Sequence, residues 1–163
     1  MKMLYYLRVF FVSCEFFFLA VCLVSYIFSQ ELLSEYFPLD SLNDDAVKWA
    51  MLFPLGIAGW TFKEGVGVIF PSEKDQKALH EWSGYWRLKA HFDVGIFNSI
   101  VFILPCLAVW LLSALNTFLG TWVFVAFAGA LSINAYSFYA AKIEVKSALI
   151  RLDAGHDSNN RVN

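Results

Sequence analysis

The sequence predicts an all-α, polytopic membrane protein. The expected plan is a four-transmembrane-helix bundle with a cytoplasmic interfacial helix and a cytoplasmic extension of the fourth helix. Three observations predict it. Hydrophobic residues make up 59% of the 163 residues and charged residues only 16%, whereas soluble domains run to about 45–50% apolar residues. The apolar residues gather into four long segments. Eleven of the twelve basic residues fall on one side of those segments, with Lys48 the exception.

The first segment, 4–28, is broken only by Arg8 and Glu15. It is longer than the ~7–15 residues of a signal h-region, and Ser29-Gln30-Glu31 is no small-residue cleavage site, so it reads as a retained helix. The connection 29–47 carries Glu31, Glu35, Asp40, Asp44 and Asp45 and no base, with Leu32, Tyr36 and Phe37 interspersed. It reads as an external loop with a short amphipathic helix ended near Pro38, and Asn43 or Asp44 is placed to cap the second helix. The second segment, 45–70, is apolar to Phe62, meets Lys63-Glu64, and is apolar again to Phe70 before Pro71. It either stops near Phe62 or continues to Phe70, and continuation is the favoured reading.

The third and fourth spans are read at 94–115 and 118–141, joined by the uncharged Asn116-Thr117. Pro54 and Pro105 lie inside spans, where proline removes a backbone donor and kinks a helix. The loop 71–93 opens with Ser72-Glu73-Lys74-Asp75, close to a capping box. Trp82, Tyr85 and Trp86 beside Arg87 and Lys89 suit a helix at headgroup level. Beyond the fourth span, 142–152 carries an apolar stripe of Val145, Leu149 and Leu152; Asp153-Ala154-Gly155 is expected to end it, leaving a polar tail 153–163. The basic residues gather in 71–93 and 142–161, so the positive-inside rule puts both termini in the cytoplasm of a cell whose inner membrane is crossed four times.

Ionisable groups at membrane depth are costly and mark sites with polar partners. Counted inward from the cytoplasmic side, Glu15, Asn98 and Asn134 share one depth, and Lys63 joins them if the second helix continues. The four constitute an expected polar layer, read first as a clamp on helix register, alternatively as an ion or proton site. Ala126, Gly129 and Ala130 form a small-residue seam that Gly56 and Gly59 are placed to answer, in packing within the chain or between copies of a homo-oligomer.

Nothing in the sequence calls for a metal, a cofactor or direct contact with nucleic acid. His80, His91 and His156 are scattered, and Cys14, Cys22 and Cys106 sit in apolar runs as expected free thiols. No nucleophile elbow or paired catalytic carboxylates stand out, so the chain reads as non-enzymatic. An enzyme acting on lipid would have to draw its groups from 71–93.

A small four-span protein with cytoplasmic docking surfaces resembles in plan the membrane subunits of bacterial multi-protein systems, the membrane component of Kiwa-type anti-phage defence among them. That likeness of architecture implies an anchoring or signalling subunit. Trp82, Trp86, Arg87, Val145, Leu149, Arg151 and Leu152 are then expected to meet a cytoplasmic protein partner. The alternative is an ion channel or small transporter built on the polar layer.

Overall fold

The computed structural model describes residues 13–36, 47, 49–69 and 85–160, with the side chains of 29, 32–36, 67–69, 148–149 and 151–160 outside the description. Every long element among them is helical: α1 (Cys14–Tyr36), α2 (Leu52–Ile69), α3 (Tyr85–Leu111) and α4 (Phe118–Asn160), with a 3-10 turn (Ala114–Asn116) between the last two. Two helical segments among the described residues are long and apolar enough to cross a membrane, Tyr85–Leu111 and Phe118–Ser147; Cys14–Phe28 is a shorter apolar helix. The residues expected in the first half of the first span, in the external loop from 37 to 46 with its cap, and in the capping box and Trp82 lie outside the described residues; 29–36, expected to belong to that loop, instead continue α1 without a break to Tyr36.

α4 is the hub. It packs against α1, α2 and α3, and α2 also packs against α3. Its partners bury a stripe of small and apolar residues: Ala126, Ala128, Ala130, Leu131, Ala135 and Phe138. Three apolar clusters stack along the axis. Met51, Cys106, Leu115, Phe124 and Ala128 fill the end beside the α3–α4 hairpin. Phe102, Ala130 and Leu131 form the middle, with Phe16, Phe18 and Leu19 of α1 and Ile57 of α2 packed against them. Phe92, Phe138 and Val145 close the other end. Cys14, Cys22 and Cys106 are all unpaired.

The hairpin turns without glycine at its tightest point. Ser113 takes the left-handed conformation, φ 51° and ψ 28°. Thr117 then caps α4: its Oγ1 accepts from the Gly120 amide at 3.1 Å and donates to the Ala114 carbonyl at 2.7 Å. Gly120 is required there, since a Cβ would stand 1.9 Å from the Ala114 oxygen.

Several boundaries differ from the sequence reading. α3 runs Tyr85–Leu111, so 85–93, expected in the loop with its interfacial helix, is continuous with the third span. The reason is packing: Tyr85, Leu88 and Phe92 recur at helical spacing and lie on Phe138, Ala141 and Val145. α2, by contrast, passes Lys63 and Glu64 and runs to Ile69, the continuation that the sequence favours. Pro54 lies in the first turn of α2, where a missing amide costs no bond within that helix; residues 47, 49 and 50 are helical too, and a turn at Met51 separates them from α2. Asp153-Ala154-Gly155 does not end α4, which is one helix to Asn160. Glycine costs about 1 kcal/mol inside a helix but does not forbid it, and extending an existing helix avoids the nucleation cost.

Candidate functional site

The candidate site is a polar layer between the middle cluster and the cluster at the Phe92 end. It starts from Gly95 of α3. A Cβ there would stand 2.2 Å from the Phe138 ring and 3.2 Å from Asn134 Oδ1, so only glycine lets α4 come this close. The approach brings Asn134 Nδ2 within donating distance of the Gly95 carbonyl (2.8 Å) and of Ser99 Oγ (2.7 Å). Ser99 in turn donates to the Gly95 carbonyl at 3.1 Å. Asn134 and Ser99 are fully buried, and their mutual bonds satisfy groups that would be costly to leave open in apolar surroundings.

Asn98 lies beside them at 2% exposure, and its Oδ1 accepts no hydrogen bond. Glu15 is 5% exposed. Its neighbour Phe16 meets Phe102 edge-on at 5.8 Å, and Phe18 lies over Gly129. α1 and α4 run antiparallel, since Tyr26 stacks on Phe118 and Trp122 Nε1 donates to the Cys22 carbonyl at 3.0 Å. That register sets Glu15 about one turn from Asn134, on the middle-cluster side. A helical side chain leans toward its own N-terminus, which for Glu15 is toward the layer. Among the described residues nothing donates to its carboxylate.

Three of the four expected members are therefore buried around one level. Lys63 is not: it is exposed, and α2 presents Thr61 to the interior, fully buried with its hydroxyl on the Ile57 carbonyl at 2.8 Å. Thr61 and Lys63 differ by two positions, about 200° around a helix, so burying one turns the other outward. The next residue, Glu64, instead pairs with Lys142 of α4. Lys142 is about 12 Å beyond Asn134 along the helix, so this ion pair forms a separate layer. Ser99 and Thr61 escaped the sequence reading because hydroxyls are common on helices. The usable signal was the Gly95–Ser99 spacing of four residues beside Asn98.

The expected packing seam divides in two. Ala126 and Ala130 are buried within the chain, and Gly129 receives the Phe18 ring. Gly56 and Gly59 do not answer them: both are exposed, and a Cβ at either meets nothing within 4 Å. The expected docking residues divide as well. Trp86 and Arg87 are exposed, the guanidinium carbon 5.6 Å from the Trp86 ring centroid. Val145 is buried at 6% exposure, packed within the chain and not presented to a partner. The side chains of Leu149, Arg151 and Leu152 lie outside the described residues. No group of three or more His, Cys, Asp or Glu side chains able to hold a metal occurs among the described residues. No family model, no curated protein and no solved structure matches the chain.

Proposed function

We propose that this protein is a non-enzymatic subunit of the inner membrane, crossing it four times with both termini in the cytoplasm. It oligomerises, and the end of α4 anchors or signals to a cytoplasmic protein partner. The observation that carries this reading is the length and layering of α4. At about 1.5 Å per residue its 43 residues reach about 64 Å, twice the ~30 Å hydrocarbon core. Aromatic residues mark two levels on it. Tyr26, Phe118 and Trp122 group at one, and Trp60 pairs with Tyr139 at the other. Trp122 and Tyr139 are about 25 Å apart along the helix, the separation of two interfacial aromatic belts.

Everything beyond the second belt is then outside the lipid. The part of α4 past Ser147, which holds Leu149, Arg151 and Leu152, becomes a rod standing in the cytoplasm. The exposed face of α2 with Gly56 and Gly59 is the smooth surface that suits contact with another copy. Deleting 148–163 is expected to abolish co-purification of the partner from native membranes while leaving the melting temperature of the bundle unchanged. Undiminished recovery of the partner would sink the docking role.

A second reading is an ion channel or transporter pathway through the polar layer. The observations that favour it are the burial of Glu15 and the unpaired, buried Asn98 Oδ1. Liposome flux separates the two readings. A pathway requires flux in the wild type that Glu15→Gln removes, and a structural clamp gives none in either.

A further inference from the structure

The seam between α2 and α4 at the basic end forms a cationic notch. Lys142 donates to Glu64 across the seam, and Lys63 and Lys146 lie within electrostatic reach of the same carboxylate. Three lysines around one acid leave an excess of positive charge. Lys63 and Lys146 are exposed and form no ion pair among the described residues. Glu144 is also exposed, but residues two apart on a helix do not share a face, so it does not answer Lys142 or Lys146.

The side of the notch toward the bundle centre is aromatic. Trp60 and Tyr139 pack with ring centroids 6.3 Å apart, and remain 40% and 48% exposed. Trp60 is one turn before Lys63 and Glu64, and Tyr139 is one turn before Lys142. Exposed rings on one side and exposed ammonium groups about a turn beyond match the gradient from acyl chain to charged headgroup.

We propose that this notch binds the headgroup of an anionic phospholipid. Lys63 and Lys146 contact the phosphate, and the Trp60–Tyr139 pair lies against the glycerol and upper acyl chain. The proposal rests on the membrane reading of the chain. A lipid fits better than an acidic protein segment because the exposed Tyr136 and Ile143 continue the apolar surface around the same end of α4. Glu64 fixes Lys142 and leaves the other two lysines for the ligand.

The test uses the full chain in a neutral detergent, with melting temperature read against added phosphatidylglycerol, phosphatidylcholine or glycerophosphoglycerol, the last being the headgroup without chains. Phosphatidylglycerol is expected to raise the melting temperature, and the other two are not. Each lysine near an anionic surface is worth about fivefold in affinity, so Lys63→Gln with Lys146→Gln should weaken the response about 25-fold. Lys89→Gln, an exposed change on α3, should leave it intact. If the double variant fails to fold, Lys146→Gln is compared with Lys146→Arg, which should keep the response.

Equal shifts with phosphatidylglycerol and phosphatidylcholine would overturn the proposal. So would equal weakening by Lys89→Gln, which points to diffuse charge, or a full response to the headgroup alone, which points to a free-anion site. Displacement of the lipid by an acidic peptide would reassign the notch to a protein. A chain that stays dispersed in water without detergent removes the membrane reading as well, whereas a detergent-dependent chain with no lipid preference removes only the lipid notch.

Discussion

Gly95 decides how closely α3 and α4 approach, and the polar layer exists because of that approach. Gly95→Ala drives a methyl into Phe138 and is expected to destabilise the bundle by about 1–3 kcal/mol, the range for overpacking. Gly59→Ala meets nothing and should be neutral or slightly stabilising. Reversible unfolding in mixed micelles measures both, and equal effects would contradict the geometry. Asn134→Leu keeps the number and branching of the side-chain heavy atoms but deletes two interhelical donations, at an expected loss of about 0.5–2 kcal/mol. An unchanged unfolding curve would show that the layer holds nothing. Burial of Glu15, Asn98 and Asn134 was legible in the sequence, because polar residues deep in apolar runs have few places to go. Their partners were not. Asn134 bonds to groups at 95 and 99, and the register between distant helices leaves no trace in local spacing. Lys63 was misplaced because depth along a helix says nothing about azimuth.

At the scale of elements, the α3–α4 hairpin is set by two residues with opposite demands. Ser113 holds a left-handed conformation that costs a side-chain-bearing residue about 1 kcal/mol. Ser113→Gly should recover a few tenths to about 1 kcal/mol after the added freedom of the unfolded chain is subtracted. Gly120→Ala should do the opposite and severely, because the clash is with backbone at Ala114. Thermal melting of the pair checks both signs. The hairpin was legible from the polar, uncharged break between two apolar runs. The continuity of α3 with the residues before it was not, because Trp86, Arg87 and Lys89 suit a separate interfacial helix as well as the first turns of a span. The spacing of Tyr85, Leu88 and Phe92 carried the helical signal.

For the whole molecule, charge is the organising variable. Described basic side chains on α2, α3 and α4 gather toward one end: Lys63, Arg87, Lys89, Lys142 and Lys146. Tags fused at residues 1 and 163 should both be reachable only from the cytoplasmic side of sealed vesicles, and access to either from outside would invert the proposed topology. The all-helical fold was legible because apolar segments of such length leave the backbone few other ways to satisfy itself. The assembly order was not legible, and one feature of it bears on how the protein is made. α1 rests chiefly on α4, through Phe18 on Gly129 and the Trp122 bond to Cys22. Ribosomes deliver α1 first and α4 last, so on the proposed topology Glu15 would enter the bilayer long before its neighbours had been translated. A nascent chain halted before Phe118 would therefore hold an acid in lipid with no shelter from α4, a natural target for membrane chaperones and quality-control proteases.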